Sequence, residues 1–96
     1  MASMESYDFE SLVNEAERLV IDEMARQLSK HSGLCTCQEC VLDIAAYALN
    51  NVKPRYRASL LGSIYARRSA DEEYAREVRK AVGEAIRRIR NNPAHD

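Results

Sequence analysis

Residues 69–93, SADEEYAREVRKAVGEAIRRIRNNP, decide the architecture because they encode one long amphipathic helix. Ser69 and Glu72 form a capping box at its start, and the Asn-Asn-Pro run at 91–93 ends it. Its apolar residues recur at steps of three and four, which places them on one face of a helix. The residues expected to face inward are Tyr74, Val78, Ala81, Val82, Ala85, Ile86 and Ile89.

A shorter helix is predicted before this one, beginning near Thr36. Thr36 and Glu39 have the spacing of a second capping box, and Pro54 prevents continuation beyond Asn50 and Asn51. Its expected apolar face consists of Val41, Ile44, Ala45, Ala48 and Leu49.

The N-terminal part of the chain predicts a further long helix, from about Asp8 to about Lys30. Asp8 is the expected N-cap, and Gly33 is placed to form a left-handed turn after the helix. The apolar stripe is formed by Phe9, Leu12, Val13, Ala16, Leu19, Val20, Met24 and Leu28.

The remaining segments connect these helices. Residues 51–59 are expected to form a loop, and the apolar residues in 60–65 indicate a short third helix or an irregular strip. We therefore predict an all-α fold of four helices, two long and two shorter, in a compact bundle-like domain. That single domain would span 1–96, with flexible ends at 1–7 and 93–96.

Composition supports a globular domain. The 96 residues are 46% hydrophobic and 30% charged, and they include three glycines and two prolines. No apolar stretch is long enough to predict a membrane span, and the N-terminal residues do not resemble a secretory signal. Three cysteines in one tight cluster suit a reducing compartment. We expect a cytoplasmic protein with no membrane partner.

Charge is unevenly distributed along the chain. Residues 1–52 contain nine acidic and three basic residues, whereas 53–68 contain five basic residues and no acidic one. An exclusively basic window in a chain of net charge −1 indicates an anionic partner, unless these side chains pair with the acidic first helix. The overall charge makes nucleic acid an unlikely partner.

The cysteines form the pattern C-x-C-x-x-C at Cys35, Cys37 and Cys40. Cys37 and Cys40 fall in the first helical turn on one face, where free amides stabilise thiolates, and three soft ligands there suit zinc. A closed site needs a fourth ligand, for which His31 and His95 are the candidates. The alternatives are three ordinary buried cysteines or a redox pair of Cys37 and Cys40.

The spacing of several short motifs resembles the bacterial late-competence ComFB family. The matching pieces are Cys35-x-Cys37-x-x-Cys40-x-x-Asp43, then Ala46-x-Ala48-Leu49-Asn50, then Pro54-x-Tyr56. The resemblance implies an all-helical homodimer, and we expect Ala75, Ala81 and Ala85 to form part of its contact. It also implies that a late Cys or His joins the cysteine cluster in zinc-binding members, which favours His95 over His31.

The same resemblance implies a receptor for a cyclic dinucleotide, mainly cyclic di-GMP, that controls competence, motility or cell size. The basic window fits this ligand, since arginine forks bind phosphate and guanine edges and tyrosines offer stacking surfaces. The candidate ligand-binding residues are Lys53, Arg55, Tyr56, Arg57, Ser59, Tyr65, Arg67 and Arg68.

Two main functional hypotheses follow, and a third, a small DNA-associated regulator, is the one that the net charge favours least. The first is a signalling receptor that binds a cyclic dinucleotide as a dimer and relays the signal to an unidentified regulatory protein. The alternative is a zinc-stabilised protein-interaction module in competence regulation, with no small-molecule ligand. We do not expect an enzyme, because the sequence offers no set of nucleophile, base and orienting group and no phosphate-binding glycine loop.

Overall fold

The computed structural model describes residues 3–59 and 72–93, and within them the protein is mostly helical. The helices are α1 (Glu15–Leu28), α2 (Gln38–Leu49) and α3 (Glu72–Asn91). Two short 3-10 turns, Met4–Ser6 and Phe9–Ser11, precede them. The predicted short helix at 60–65 lies outside the described residues, so the count of four helices stays a prediction.

A two-stranded antiparallel sheet departs from the expected all-α fold. Strand β1 (Val13–Asn14) pairs with strand β2 (Tyr56–Arg57), with Val13 opposite Arg57 and Asn14 opposite Tyr56. The segment 51–59, expected to be a loop throughout, therefore contains one strand. This pairing brings residues 53–57 of the basic window directly against the start of α1.

The core forms where α3 packs against α2 and α1. The inward face predicted for α3 is confirmed, since six of its residues are buried and Ile89 packs against them. Ala81 and Ala85 are only 3% and 0% exposed in this single chain. The expectation that they form a dimer contact is therefore wrong, because both already pack in the chain's own core. The buried core residues are Ala16, Val20, Met24, Ile44, Ala48, Val52, Tyr74, Val78, Ala81, Val82, Ala85 and Ile86.

Helix α1 begins at Glu15, not at the predicted Asp8. Asn14 is its N-cap, and its side-chain oxygen accepts a hydrogen bond from the backbone N–H of Ala16 at 3.1 Å. Asp8 instead caps the 3-10 turn that starts at Phe9. Because pairing with β2 requires an extended backbone at 13–14, a helix cannot continue through these positions.

Helix α2 starts close to its predicted position. Its N-cap is Cys37 and not Thr36, and the sulfur of Cys37 accepts a hydrogen bond from the backbone N–H of Cys40 at 3.5 Å. Asn50 caps its C-terminal end. Gly33 adopts the expected left-handed conformation, with φ of 77°, in the connection between α1 and α2.

Candidate functional site

The cationic loop, residues 53–57, is fixed by the start of α1. The side-chain oxygen of Asn14 accepts a hydrogen bond from the backbone N–H of Arg55 at 2.8 Å. The backbone N–H of Glu15 donates to the carbonyl oxygen of Arg55 at 2.7 Å. Both backbone polar groups of Arg55 are thus satisfied, which fixes the direction in which its side chain leaves the loop.

Helix α3 holds the same loop from the other side. The hydroxyl of Tyr74 donates a hydrogen bond to the carbonyl oxygen of Lys53 at 2.7 Å. The guanidinium of Arg55 lies 4.0 Å from the centroid of the Tyr74 ring, a cation–π distance. Burial raises the pKa of Tyr74, while the nearby charge of Arg55 opposes that change. The phenol is therefore a hydrogen-bond donor at neutral pH.

These contacts create an open groove of about 450 Å³ between the loop and α3, here called the cationic groove. Four of its lining side chains are cationic and two are carboxylates, so it has an excess of two positive charges. Among the described residues, none of these four cations forms an ion pair with a carboxylate. The lining residues are Lys53, Arg55, Glu73, Tyr74, Arg76, Glu77 and Lys80.

Sequence reasoning missed Arg76 and Lys80 as site residues. They lie four residues apart on α3, so they share one face of that helix. Their spacing was visible in the sequence, but nothing local indicated that this polar face lies beside Lys53 and Arg55.

Arg57 does not join the cationic groove, although it was expected among the ligand-binding cations. Its Nε lies 2.5 Å from Oε1 of Glu15, and both residues are half-buried. The hydrogen bond from Arg57 is the main cause that lowers the pKa of Glu15, and Arg18 at 3.1 Å contributes further. For Arg57, the alternative that basic residues pair with the acidic first helix is correct.

The other predicted ligand-binding residues fall into two groups. Tyr56 is 63% exposed and next to Arg55 in the chain, and Ser59 is also exposed. Tyr65, Arg67 and Arg68 lie outside the described residues.

The cysteines form a second candidate site. The sulfur atoms of Cys35, Cys37 and Cys40 all lie within 4.8 Å of one another. Cys40 is buried, Cys35 is half-buried and Cys37 lies at the surface. The sulfur atoms around a tetrahedral zinc ion stand about 3.8 Å apart, given a Zn–S bond of about 2.3 Å. The cluster could therefore hold a metal ion after a small contraction.

The two candidate fourth ligands differ in position. Nδ1 of His31 lies 3.0 Å from a guanidinium nitrogen of Arg90 and not in the thiol cluster. Pro93 lines a small cavity of about 130 Å³ together with Cys35 and Cys40. The end of α3 thus returns to the start of α2. His95 follows Pro93 by two residues and lies outside the described residues.

In the described ranges, no helix has the length and apolar character needed to cross a membrane.

Comparisons with known proteins agree with the motif spacing. The family model described as late competence development protein ComFB matches residues 13–93. The solved structure of the late competence protein ComFB from Bacillus subtilis is similar to this chain, with a TM-score of 0.71 at 25% sequence identity. That match covers 86% of this chain and 92% of the Bacillus chain. No curated protein matches the chain.

Proposed function

The chain belongs to the ComFB family of late competence development proteins, and on that premise we propose that it is a cyclic dinucleotide receptor. The proposed ligand is cyclic di-GMP, and the proposed site is the cationic groove. The observation that carries this proposal is the convergence of Lys53 and Arg55 with Arg76 and Lys80 in that groove.

The charge of the groove suits the ligand. Cyclic di-GMP carries two phosphodiester charges, and the groove has two more positive than negative side chains. Arginine and lysine bind phosphate oxygens through charge-assisted hydrogen bonds, and arginine also matches the O6/N7 edge of guanine. Glu73 and Glu77 are hydrogen-bond acceptors that suit the N–H groups of guanine.

Next to the groove, the chain offers an aromatic side chain that does not itself line it. Tyr56 is largely exposed beside Arg55, so its ring is available to stack on a base. A dimer with a two-fold axis would present this set twice to a ligand that is itself two-fold symmetric. The homodimer is part of the proposal.

The signalling mechanism would be a population shift. Lys53 and Arg55 lie on a loop held by three hydrogen bonds. The backbone N–H of Arg55 donates to Asn14, and Glu15 and Tyr74 donate to carbonyl oxygens of the loop. A ligand that bridges this loop to α3 favours the conformation in which these contacts are closed, by no more than its differential affinity for the two states. A regulatory protein that recognises the closed surface would receive the signal.

Calorimetric titration with cyclic di-GMP and with cyclic di-AMP tests the proposal. We expect binding of cyclic di-GMP by the unaltered chain and at least a tenfold loss in the Arg55→Ala/Arg76→Ala double variant. Arg87→Ala is the matched control, because Arg87 is an exposed cation of α3 that lines a different groove. Absence of heat for both nucleotides at high micromolar protein would remove the receptor hypothesis and leave the interaction module.

We further propose that Cys35, Cys37, Cys40 and His95 hold a structural zinc ion. The proximity of the three sulfurs supports the first three ligands. The position of Pro93 beside Cys35 and Cys40 supports His95 as the fourth. When bound, the ion would join the start of α2 to the end of α3, which a small domain with a thin core benefits from.

A further inference from the structure

The N-terminal arm, residues 3–12, precedes both β1 and the region that matches the family. It carries large apolar side chains that the chain itself leaves uncovered. Their exposed fractions are 62% for Met4, 55% for Tyr7, 58% for Phe9 and 49% for Leu12. Neither 3-10 turn contains a buried residue.

The arm nevertheless has a defined shape. The carboxylate of Asp8 accepts hydrogen bonds from the backbone N–H of Glu10 and from the hydroxyl of Ser11, both at 3.0 Å. Ser3 caps the first turn in the same way. Within the described part of the chain, the arm's hydrogen bonds are all internal to it.

The exposed apolar area of the arm equals that of the largest apolar patch on a typical monomer. Four half-exposed side chains of this size present on the order of 400–500 Å², and the largest patch on a typical monomer covers about 300–600 Å² and is often functional. A surface of this size, on a preformed segment, indicates an interface.

The charge of the arm indicates which surface it binds. The arm contains Glu5, Asp8 and Glu10 and no basic residue. The cationic groove has an excess of two positive charges, and it adjoins a mainly apolar pocket of about 310 Å³ between α1 and α3. Tyr74 lines both, and Leu19 and Val78 supply apolar surface in the pocket. The charged residues that line this pocket, Asp22, Glu23, Arg26 and Arg79, balance one another. Groove and pocket together thus complement both the charge and the apolar side chains of the arm.

We propose that the arm of one copy docks into the cationic groove and the adjoining apolar pocket of a second copy. If each arm covers an area on its partner that matches its own apolar area, the two docked arms together would bury on the order of 2,000 Å² of surface. This is the area of a stable interface. This contact differs from the alanine-based dimer contact expected from the sequence, and it uses residues outside the family match.

One consequence rests on the proposed receptor function. Arm and cyclic dinucleotide would compete for the same cations, since both present negative charge to the cationic groove. Binding of the nucleotide would then release the arm of each copy, and the dimer proposed for the nucleotide-bound receptor would be held by other contacts.

Photocrosslinking in the full-length chain tests arm docking. Phe9 is replaced by p-benzoylphenylalanine, which its exposure permits without disturbing the core. Equal amounts of ¹⁵N-labelled and unlabelled protein are mixed, irradiated and digested for mass spectrometry. We expect crosslinks from position 9 to segment 72–80, with mixed-isotope pairs making up about half of them.

Charge variants complete the test. The triple variant Glu5→Gln/Asp8→Asn/Glu10→Gln keeps the side-chain acceptor at position 8 and should reduce the mixed-isotope crosslink at least fivefold. Glu17→Gln, an exposed acid of α1 outside the arm, should leave it unchanged. Crosslinks confined to single-isotope pairs, or directed elsewhere than α1, α3 and the cationic loop, would overturn the proposal.

Adding cyclic di-GMP separates the two proposals. Loss of the crosslink at nucleotide concentrations that saturate the protein supports competition. If the crosslink forms normally while calorimetry detects no nucleotide binding, arm docking stands and the receptor function fails.

Discussion

The hydroxyl of Tyr74 lies 2.7 Å from the carbonyl oxygen of Lys53 and ties the first turn of α3 to the cationic loop. Asn14 makes the corresponding contact from the start of α1, through the backbone N–H of Arg55. The position of the cations therefore depends on two residues that are not cationic themselves. Both contacts join segments that are far apart in the sequence.

Tyr74→Phe tests the role of this hydroxyl. The variant keeps the ring beneath Arg55 but leaves the Lys53 carbonyl without its donor, so we expect a loss of about 1 kcal/mol in unfolding free energy. A loosened loop should also weaken cyclic di-GMP binding a few-fold. Urea unfolding and calorimetry measure the two effects. Unchanged stability would show that water replaces the hydroxyl without cost.

Arg55→Ala should mainly weaken nucleotide binding, whereas Arg57→Ala should mainly lower stability. Arg57 is engaged with Glu15, so its removal should cost about 1 kcal/mol of stability and change nucleotide affinity less than twofold. Removal of Arg55 should weaken binding about tenfold, the effect of losing a hydrogen bond to a charged group. Calorimetry on both variants, with urea unfolding as the companion measurement, compares them. Equal losses of affinity would place the ligand on the strand rather than in the groove.

Stability should fall in acid through Glu15 and Glu23, whose pKa values are lowered by hydrogen bonds from Arg57 and Arg26 respectively. Because their pKa values in the folded state lie below the unfolded value of 4.5, the unfolded chain takes up protons first as the pH falls. Their contribution is therefore complete above about pH 5 and is lost as the pH falls below 4.5. Urea unfolding between pH 3 and pH 7 should show this decline, and Glu15→Gln should make it shallower. An equal decline in that variant would contradict the assignment to Glu15.

The helical faces could be predicted from the sequence because they follow from local periodicity. The inward face of α3 and the position of α2 were predicted correctly, and so was the stop before Pro93. The family was also recognisable, since cysteine spacing and the motifs after it are local features.

Features that depend on tertiary pairing could not be predicted in this way. Phe9 and Leu12 have the same apolar spacing as the buried residues of α1. They nevertheless lie outside the helix, because Asn14 pairs with Tyr56 and α1 begins only after this pair. The ion pair between Glu15 and Arg57 joins residues 42 positions apart, so charge counting alone could not tell Arg57 from Arg55. Arg76 and Lys80 line the cationic groove because α3 packs beside the cationic loop, which is also a contact between segments distant in the sequence.

Gly83→Ala should stabilise the protein. Gly83 lies within α3, and a β-carbon there would meet its nearest neighbours at ordinary contact distance, Gln27 Oε1 at 3.6 Å and an Arg87 nitrogen at 3.9 Å. Alanine removes the entropic cost of a helical glycine, so we expect a gain of about 0.5–1 kcal/mol in unfolding free energy. Thermal and urea unfolding should agree on the sign. A lower unfolding free energy would mean that the Gln27 side chain cannot shift to make room. That side chain donates a hydrogen bond to the Arg79 carbonyl oxygen at 3.0 Å.

Zinc content and the choice of histidine form the last prediction. Protein purified without chelators should contain close to one equivalent of zinc by elemental analysis. Cys37→Ser is the sharpest cysteine variant, because serine can still cap α2 and position 37 lies at the surface, whereas Cys40 belongs to the buried interior. It should lower the zinc content without a large loss of helix. His95→Ala should lower it as well, while His31→Ala should not, since His31 contacts Arg90 and lies outside the thiol cluster. Less than about a third of an equivalent in the unaltered chain would count against the site, because a thiolate-rich structural site binds zinc far too tightly to be emptied by purification.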